Sequence, residues 1–415
     1  MACLKKPLDK VDASVAFLKN APASKQIKYA ALRSLQFSSI YLMSCLPNSP
    51  VTNKILEGIE QKYLDFIYAL FDIPLQYRDQ NYQVRIQSPI EDGGLGLLPL
   101  AFLRPHLFEN NEFEANTIRR CLKFAELPGK KSCELKMIWK TFPPKQNKEV
   151  SYHQGSFLSA WPSKPLLVLD DDTFHFGVNH RLGLMRPFPF HCLHTLQDLG
   201  SLPQHEFISH FESCSSCGTA MWWQRHERVN NVLCKTFKYH NISCELNPLD
   251  YNLPGNERGG PDFLLFVGSQ IFAGDVMVTS RTSQEGFRYK TRKYKAFADA
   301  TTHELFPFVM TTRRKVDYGT FLLLQKIQEQ CTSKHLVNDI ISHAQIEMLK
   351  GMYCGFLKQK AKHVLRTMKE ANTDTPLLID ANTPSHSQIH LPENDLSEPR
   401  TKRNREPHAP SATQE

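Results

Sequence analysis

The sequence lacks long hydrophobic runs. Its 415 residues contain no apolar stretch of the roughly eighteen residues that a membrane-spanning helix needs, and no apolar segment follows the charged N-terminus. We therefore expect neither a membrane partner nor a secretory signal, and we predict an intracellular protein. The net charge of +8 is modest, so it permits a nucleic-acid partner without requiring one.

Closely spaced cysteines are also scarce. The eleven cysteines are scattered, and Cys214 and Cys217 stand out as a tight pair. In a reducing compartment such a pair indicates metal or redox chemistry rather than a disulfide framework. Two thiolates on a tight turn suit tetrahedral Zn²⁺, so we predict half of a zinc site here.

Two nucleotide-handling motifs are missing. The glycine-rich segment 93–97 is followed by Leu98-Pro99-Leu100, which supplies neither the Lys nor the Ser/Thr of a phosphate-binding loop. We interpret it as a loop between helices. A polymerase palm needs Tyr/Phe-x-Asp-Asp, and the acidic run Asp170-Asp171-Asp172 does not match it. We interpret this run as the end of a strand.

Apolar periodicity predicts helices at both ends of the chain. Residues recur at three- to five-residue spacing in the first ninety positions, as an amphipathic helix requires: Ile55, Ile59, Leu64, Ile67 and Leu70. Residues 333–370 show a second long helical pattern. From residue 372 the polar composition predicts a disordered tail. Its Lys402-Arg403-Asn404-Arg405 is either solvated charge or a nuclear-import or nucleic-acid patch.

Two predicted strands carry one carboxylate each. Asp262 precedes the apolar run 263–267, and Asp275 lies within the run 271–278. Gly268-Ser269-Gln270 between the runs predicts a hairpin that brings both acids to one edge. Neither run alternates with polar residues, so both strands should be buried, where a carboxylate is costly without a partner or a metal. Mg²⁺ or Mn²⁺ at such a pair could assist phosphodiester cleavage.

The next predicted helix is rich in lysine. Lys290 and Lys293 share a helical face, and either one could stabilise charge on a phosphate during cleavage. A phosphate-facing basic helix without a catalytic part remains the alternative.

The two carboxylates followed by the lysines, in this order along segment 261–294, resemble the restriction-enzyme-like endonuclease of non-LTR retrotransposons, a branch of the PD-(D/E)xK nucleases. The resemblance rests on Pro261-Asp262, Asp275-Val276, Lys290 and Lys293-Tyr294. It implies Mg²⁺ ligation by both aspartates and catalysis by a lysine displaced onto the helix. Met277 stands where the strand lysine of other branches would be, which leaves Lys290 and Lys293 as alternatives.

The resemblance extends to the preceding helix. Arg225-His226-Glu227 fits an Arg-His element of the family, which implies that Glu227 is an additional acidic ligand. Related nucleases place a His and a Cys between the cysteine pair and this element, but residues 219–224 contain neither. The second half of a zinc site must come from elsewhere, and the candidates remain open: His210, His226, Cys234, or His240 with Cys244. We take Cys214, Cys217, His226 and Cys234 as the working set.

The N-terminal half resembles the region after a reverse transcriptase palm. Segments 23–26 and 89–97 look like a thumb, and segments 159–162 and 181–184 look like the linker that follows. The resemblance covers roughly residues 20–330 and implies a fragment without the polymerase palm.

We therefore predict an α+β fold with five parts: a helical thumb-like region (1–104), a linker (105–204), a zinc-knuckle-like element with a mixed-sheet nuclease domain (205–330), a C-terminal helix (331–371) and the tail (372–415). The predicted function is metal-dependent nicking of DNA in the nucleus, with element RNA as a further candidate partner. The alternative is a catalytically dead nucleic-acid-binding remnant or a domesticated fragment.

Overall fold

The fold is given by a computed structural model that describes residues 2–45, 49–90, 93–105, 155–185, 192, 198–248, 260–279, 282–312 and 314–373. Most of the predicted linker and the predicted tail beyond residue 373 lie outside the described residues. The described part is mixed α and β, mostly helical, with a four-stranded sheet. The predicted α+β class is thus confirmed.

Helices form the N-terminal part, as the periodicity predicted. They are α1 (Ala2–Asn20), α2 (Lys25–Cys45), α3 (Pro50–Leu70) and α4 (Gln80–Gln87). Ser49 caps α3 by accepting a hydrogen bond from the Thr52 N–H, and Pro50 occupies the first turn, where its missing N–H costs nothing. The apolar stripe of α3 is buried, including Ile59 and Ile67.

The glycine-rich segment is a packed loop. A Cβ on Gly94 would lie 2.0 Å from the Ser88 carbonyl oxygen, so this position accepts only glycine without rearrangement. The Arg181 guanidinium donates to the Gly94 carbonyl at 2.9 Å and also to the Ile90 carbonyl. The Tyr29 hydroxyl donates to the Leu95 carbonyl. These contacts agree with a structural loop between helices.

The acidic run 170–172 begins a helix, so the prediction that it ends a strand was wrong. After α5 (Ser156–Ser159), the chain forms a single 3₁₀ turn (Pro165–Leu167), and α6 (Asp171–Leu182) follows. The Asp170 side chain accepts from the Thr173 N–H, which is the bond of an N-cap. Asp171 and Asp172 in the first turn complement the helix dipole.

The C-terminal half holds the sheet and its helices. Two helices precede it, α7 (Gln204–Ser213) and α8 (Ser215–Tyr239). The strands are β1 (Ser243–Leu246), β2 (Phe263–Val267), β3 (Gln270–Thr279) and β4 (Glu304–Thr311). Between β3 and β4 lie α9 (Ser283–Lys293) and α10 (Lys295–Ala300); α11 (Tyr318–Glu329) and α12 (Leu336–Thr373) follow.

The sheet has the order β1-β2-β3-β4 and is mixed. The first two pairings are antiparallel, and β3 pairs with β4 in parallel, so α9 and α10 form the crossover that parallel strands require. One face of β2 and β3 joins the main core with Phe263, Leu265 and Phe272. The other face packs Leu264 and Ala273 against Tyr294 and Phe297. Both strands are largely buried, as predicted, although Phe266 of β2 is exposed.

The chain divides into two units, Met1–Leu365 and Arg366–Glu415. The predicted boundaries at 104, 204 and 330 fall inside the first unit, whose main buried core runs from Val11 to Met352. The second unit is described as far as Thr373, as helix. None of the helices described here combines the length and apolarity that crossing a bilayer requires.

Candidate functional site

Two carboxylates meet where β2 begins. In the antiparallel pairing of β2 with β3, Phe263 lies opposite Gly274. Asp262 directly precedes Phe263 and Asp275 directly follows Gly274, so the two aspartates lie next to each other. The two side chains lie close enough for the Asp262 charge to act on the pKa of Asp275. Asp275 is 7% exposed, and Asp262 is half-buried. The hairpin predicted from Gly268-Ser269 therefore brings both predicted ligands together.

Asp275 is held by two side chains of the following helix. The Lys290 ammonium forms an ion pair with Asp275 Oδ2, and both side chains are largely buried. The Tyr294 hydroxyl donates to Asp275 Oδ1 at 3.0 Å. Lys290 and Tyr294 are four residues apart, one helical turn, so both reach the same strand residue.

A close approach of α9 to the sheet makes this contact possible. A Cβ on Gly286 would lie 3.0 Å from the Val309 side chain and 3.3 Å from the Met277 sulfur. Glycine at this position lets α9 lie directly over Met277. Lys290 is one turn further along the same helix face, which brings its ammonium to Asp275. Helix α9 thus supplies the positive charge beside Asp275 through Lys290, since Met277 on the strand carries no charge.

Lys293 has a different environment. Its ammonium donates to the Tyr294 hydroxyl at 3.2 Å and lies over the Tyr294 ring, 4.7 Å from the centroid. That hydroxyl in turn donates to Asp275, so it links Lys293 to the acidic pair. Of the two predicted lysines, the structure brings Lys290 to the acidic pair and places Lys293 one contact away.

Asp262 has its own set of partners. Its Oδ2 accepts from the backbone N–H of Val276 at 2.7 Å and lies 3.0 Å from His226 Nε2. His226 comes from α8, so three elements converge on the two acids: α8, the β2–β3 hairpin and α9. The other ring nitrogen, Nδ1, lies 3.5 Å from Glu227. Glu227 therefore borders the site through His226.

The two acids differ in proton affinity. Burial raises the pKa of Asp275 above its usual value, and the neighbouring Asp262 charge adds to this although Lys290 opposes it. Burial on its own would raise the pKa of Asp262 as well. The hydrogen bonds from His226 and the Val276 N–H outweigh burial, so the pKa of Asp262 is lowered. The two pKa values therefore move in opposite directions, as expected for two acids sharing one site.

The partners respond to the same charges. Burial lowers the pKa of His226, but the bond to Asp262 dominates together with the nearby carboxylates, so the net pKa is raised. Burial and Asp275 raise the pKa of Tyr294, which keeps its hydroxyl protonated as a donor. His226 and Tyr294 thus stabilise the negative charge of the acidic pair.

The acidic pair suits a hard divalent cation. Mg²⁺ and Mn²⁺ prefer oxygen ligands and commonly take one or two carboxylates from the protein. Asp262 and Asp275 present such oxygens side by side. Burial is the main cause of the raised pKa of Asp275, and the Asp262 charge adds to it, so a dication would offset both effects. The residues present therefore fit this metal.

The working set of zinc ligands does not come together. Cys234 forms a disulfide with Cys244, which joins the last turns of α8 to β1. His226 faces Asp262 instead. The alternative of His240 with Cys244 also does not supply the second half of the site, because Cys244 lies in β1 and is bonded to Cys234. The Cys217 side chain lies outside the described residues.

Cys214 has other neighbours. It lies beside His210, which was one of the open candidates, and Cys192, which sequence reasoning missed. Sequence reasoning also missed the role of His226 as partner of Asp262. The Arg225-His226-Glu227 element was a signal for it, but this element pointed to Glu227 as the ligand.

Searches for similar proteins add no family: no family model and no curated protein sequence matches this chain.

Proposed function

We propose that this chain is a metal-dependent DNA endonuclease derived from a non-LTR retrotransposon. The observation that carries the proposal is the Asp262–Asp275 pair with Lys290 bound to Asp275. Two adjoining carboxylates and one buried lysine are the chemical parts that metal-assisted phosphodiester cleavage uses. The order of these residues along the chain, with Arg225-His226-Glu227 before them, further supports it.

In this proposal each residue has a defined task. Mg²⁺ or Mn²⁺ held by Asp262 and Asp275 would polarise the phosphoryl oxygens and lower the pKa of a bound water. Lys290 supplies positive charge where negative charge builds on the phosphate. Tyr294 orients Asp275 through its hydroxyl, and His226 keeps Asp262 ionised. Glu227 adds a carboxylate 3.5 Å from the second ring nitrogen of His226.

The surface of α9 supports DNA as the partner. Exposed basic residues lie along this helix and at the start of α10: Arg288, Arg292, Lys293 and Lys295. Such residues bind phosphates of the DNA backbone without reading sequence. We therefore propose nicking of duplex DNA, with element RNA as a second possible partner for the same basic surface.

One observation favours a second function, a nucleic-acid-binding protein without catalysis. Both carboxylates already have cationic partners, Lys290 and His226, so the site balances its charge through side chains alone. In that case the basic face of α9 would bind nucleic acid, and binding would weaken steeply with added salt. Asp262→Ala would leave such binding unchanged.

The two functions are separated by one experiment on the whole chain. Purified protein is incubated with supercoiled plasmid and Mg²⁺ or Mn²⁺, and the nicked circle is measured beside a parallel reaction containing EDTA. The endonuclease predicts nicked product that appears only with the dication. Salt-sensitive DNA binding with an intact plasmid would reject cleavage and support the binding protein.

A further inference from the structure

We propose that Cys192, His210 and Cys214 bind a zinc ion that holds together the junction of α7 and α8. This site is separate from the acidic pair and does not depend on the endonuclease proposal. Its ligand set differs from the one predicted from the sequence, since Cys214 is kept while His226 and Cys234 are replaced. The argument rests on geometry, ligand chemistry and position in the fold.

The three ligand atoms have the spacing of a tetrahedral site. The two Sγ atoms and one ring nitrogen of His210 all lie within 4.8 Å of one another. The sulfurs of Cys192 and Cys214 are 3.5 Å apart. Zinc–sulfur bonds of about 2.3 Å at the tetrahedral angle place two sulfurs about 3.8 Å apart. A single ion therefore fits between these groups with small adjustments.

Two of the proposed ligands lie one helical turn apart at the end of α7. His210 lies in its last turn, and the Cys214 N–H donates to the His210 carbonyl at 2.8 Å. This backbone bond places the two side chains one turn apart on the same face. Cys192 comes from a different part of the chain, so a bound ion would cross-link a segment eighteen residues before His210 to this helix end.

The chemistry selects the ion. Thiolate and imidazole ligands suit Zn²⁺, whereas Mg²⁺ and Ca²⁺ prefer oxygen. Cys192 and Cys214 are buried, and His210 is half-buried, which is typical of a closed structural site rather than an open catalytic one.

The position gives the site a structural role. Glu212, two residues before Cys214, lies 2.8 Å from His180 Nε2 and accepts from the Thr312 hydroxyl at 3.2 Å. The α7 end is therefore already bonded to α6 and to the residue after β4. An ion at Cys214 would extend this anchoring to the segment of Cys192. It would also set the start of α8, the helix that carries His226.

The first test measures bound metal in the whole protein. Protein purified without chelator is analysed by inductively coupled plasma mass spectrometry, and the expected content is one zinc ion per chain. Cys192→Ser, Cys214→Ser and His210→Ala should each lose the ion. Cys354→Ser, which changes a partly exposed cysteine elsewhere, and Cys234→Ser should both retain it.

The second test remains informative where a ligand variant fails to fold. Wild-type protein in which Co²⁺ replaces zinc should show a thiolate-to-cobalt charge-transfer band, and a zinc chelator should lower the melting temperature of the wild type. His210→Cys keeps a suitable ligand and should retain zinc, unlike His210→Ala. Metal-free wild-type protein, a Cys192–Cys214 disulfide in mass spectra, or zinc loss in Cys234→Ser but not in Cys192→Ser would overturn the proposal.

Discussion

Lys290 forms an ion pair with Asp275 although the two residues lie on different elements, a helix and the strand before it. Strand β3 carries Met277 two residues after Asp275, on the same face by strand alternation. Gly286 lets α9 lie against Met277, and Lys290 follows one turn later. The position of α9 on the sheet therefore brings the Lys290 ammonium to the Asp275 carboxylate. Lys293 of the same helix bonds to Tyr294 instead, so the two lysines have different roles.

This inequality predicts different effects of two matched substitutions. Lys290→Met should lower the rate of plasmid nicking by about a hundredfold or more, because it removes the charge next to the acidic pair. Lys293→Met removes a hydrogen bond to the Tyr294 hydroxyl and should cost less than about tenfold. Single-turnover nicking assays measure both rates. Equal losses, or a larger loss in Lys293→Met, would reject the assignment of Lys290.

The pair of His226 and Asp262 predicts a pH dependence of stability. The His226 pKa is raised from 6.5, so its contribution is complete below pH 6.5 and is lost as pH rises through the folded-state pKa. The Asp262 pKa is lowered from 3.8, so its contribution is present above pH 3.8 and is lost as pH falls through the folded-state pKa. The pair should therefore stabilise most between these two values.

Melting temperatures of wild type and His226→Gln test this across the pH range. The difference in favour of wild type should be largest between pH 3.8 and pH 6.5 and should shrink at higher pH, as the imidazolium loses its proton. His335→Gln, which changes an exposed histidine, is the control. A His226→Gln difference that grows above pH 6.5 would contradict the ion pair.

Two glycine substitutions should have opposite signs. Gly94→Ala should destabilise the fold by about 2–3 kcal/mol, because its Cβ would lie 2.0 Å from the Ser88 carbonyl oxygen. Gly58 lies within α3 with open space around it, so Gly58→Ala should stabilise by up to about 1 kcal/mol. Urea unfolding measures both changes. A neutral Gly94→Ala variant would mean that the glycine loop is not packed as described.

Local pattern was enough to predict several elements. The predicted runs 263–267 and 271–278 correspond to β2 and β3, and the long helical pattern became α12, because apolar periodicity reports burial directly. The short strand β1 (Ser243–Leu246) was missed, because four residues with two apolar members are too few to show the alternation of a strand. Asp170 was misinterpreted because its role as a cap depends on the helix that follows.

The site was predictable in part. Spacing identified Asp262 and Asp275, since a two-residue turn sets the register of a hairpin. The contact of His226 with Asp262 depends on how α8 packs against the sheet, which spacing does not encode. The same is true of Cys192, which lies twenty-two residues before Cys214 yet approaches it to 3.5 Å.

The most direct test of the acidic pair is the nicking rate of Asp275→Asn beside Asp299→Asn. Asp275 is buried against Lys290, whereas Asp299 is exposed on α10, so the two variants make the same chemical change in different environments. Circular dichroism first checks that both variants fold. We expect Asp299→Asn to nick plasmid with Mn²⁺ at the wild-type rate and Asp275→Asn to be slower by about a hundredfold or more. Equal rates in the two variants would contradict the account.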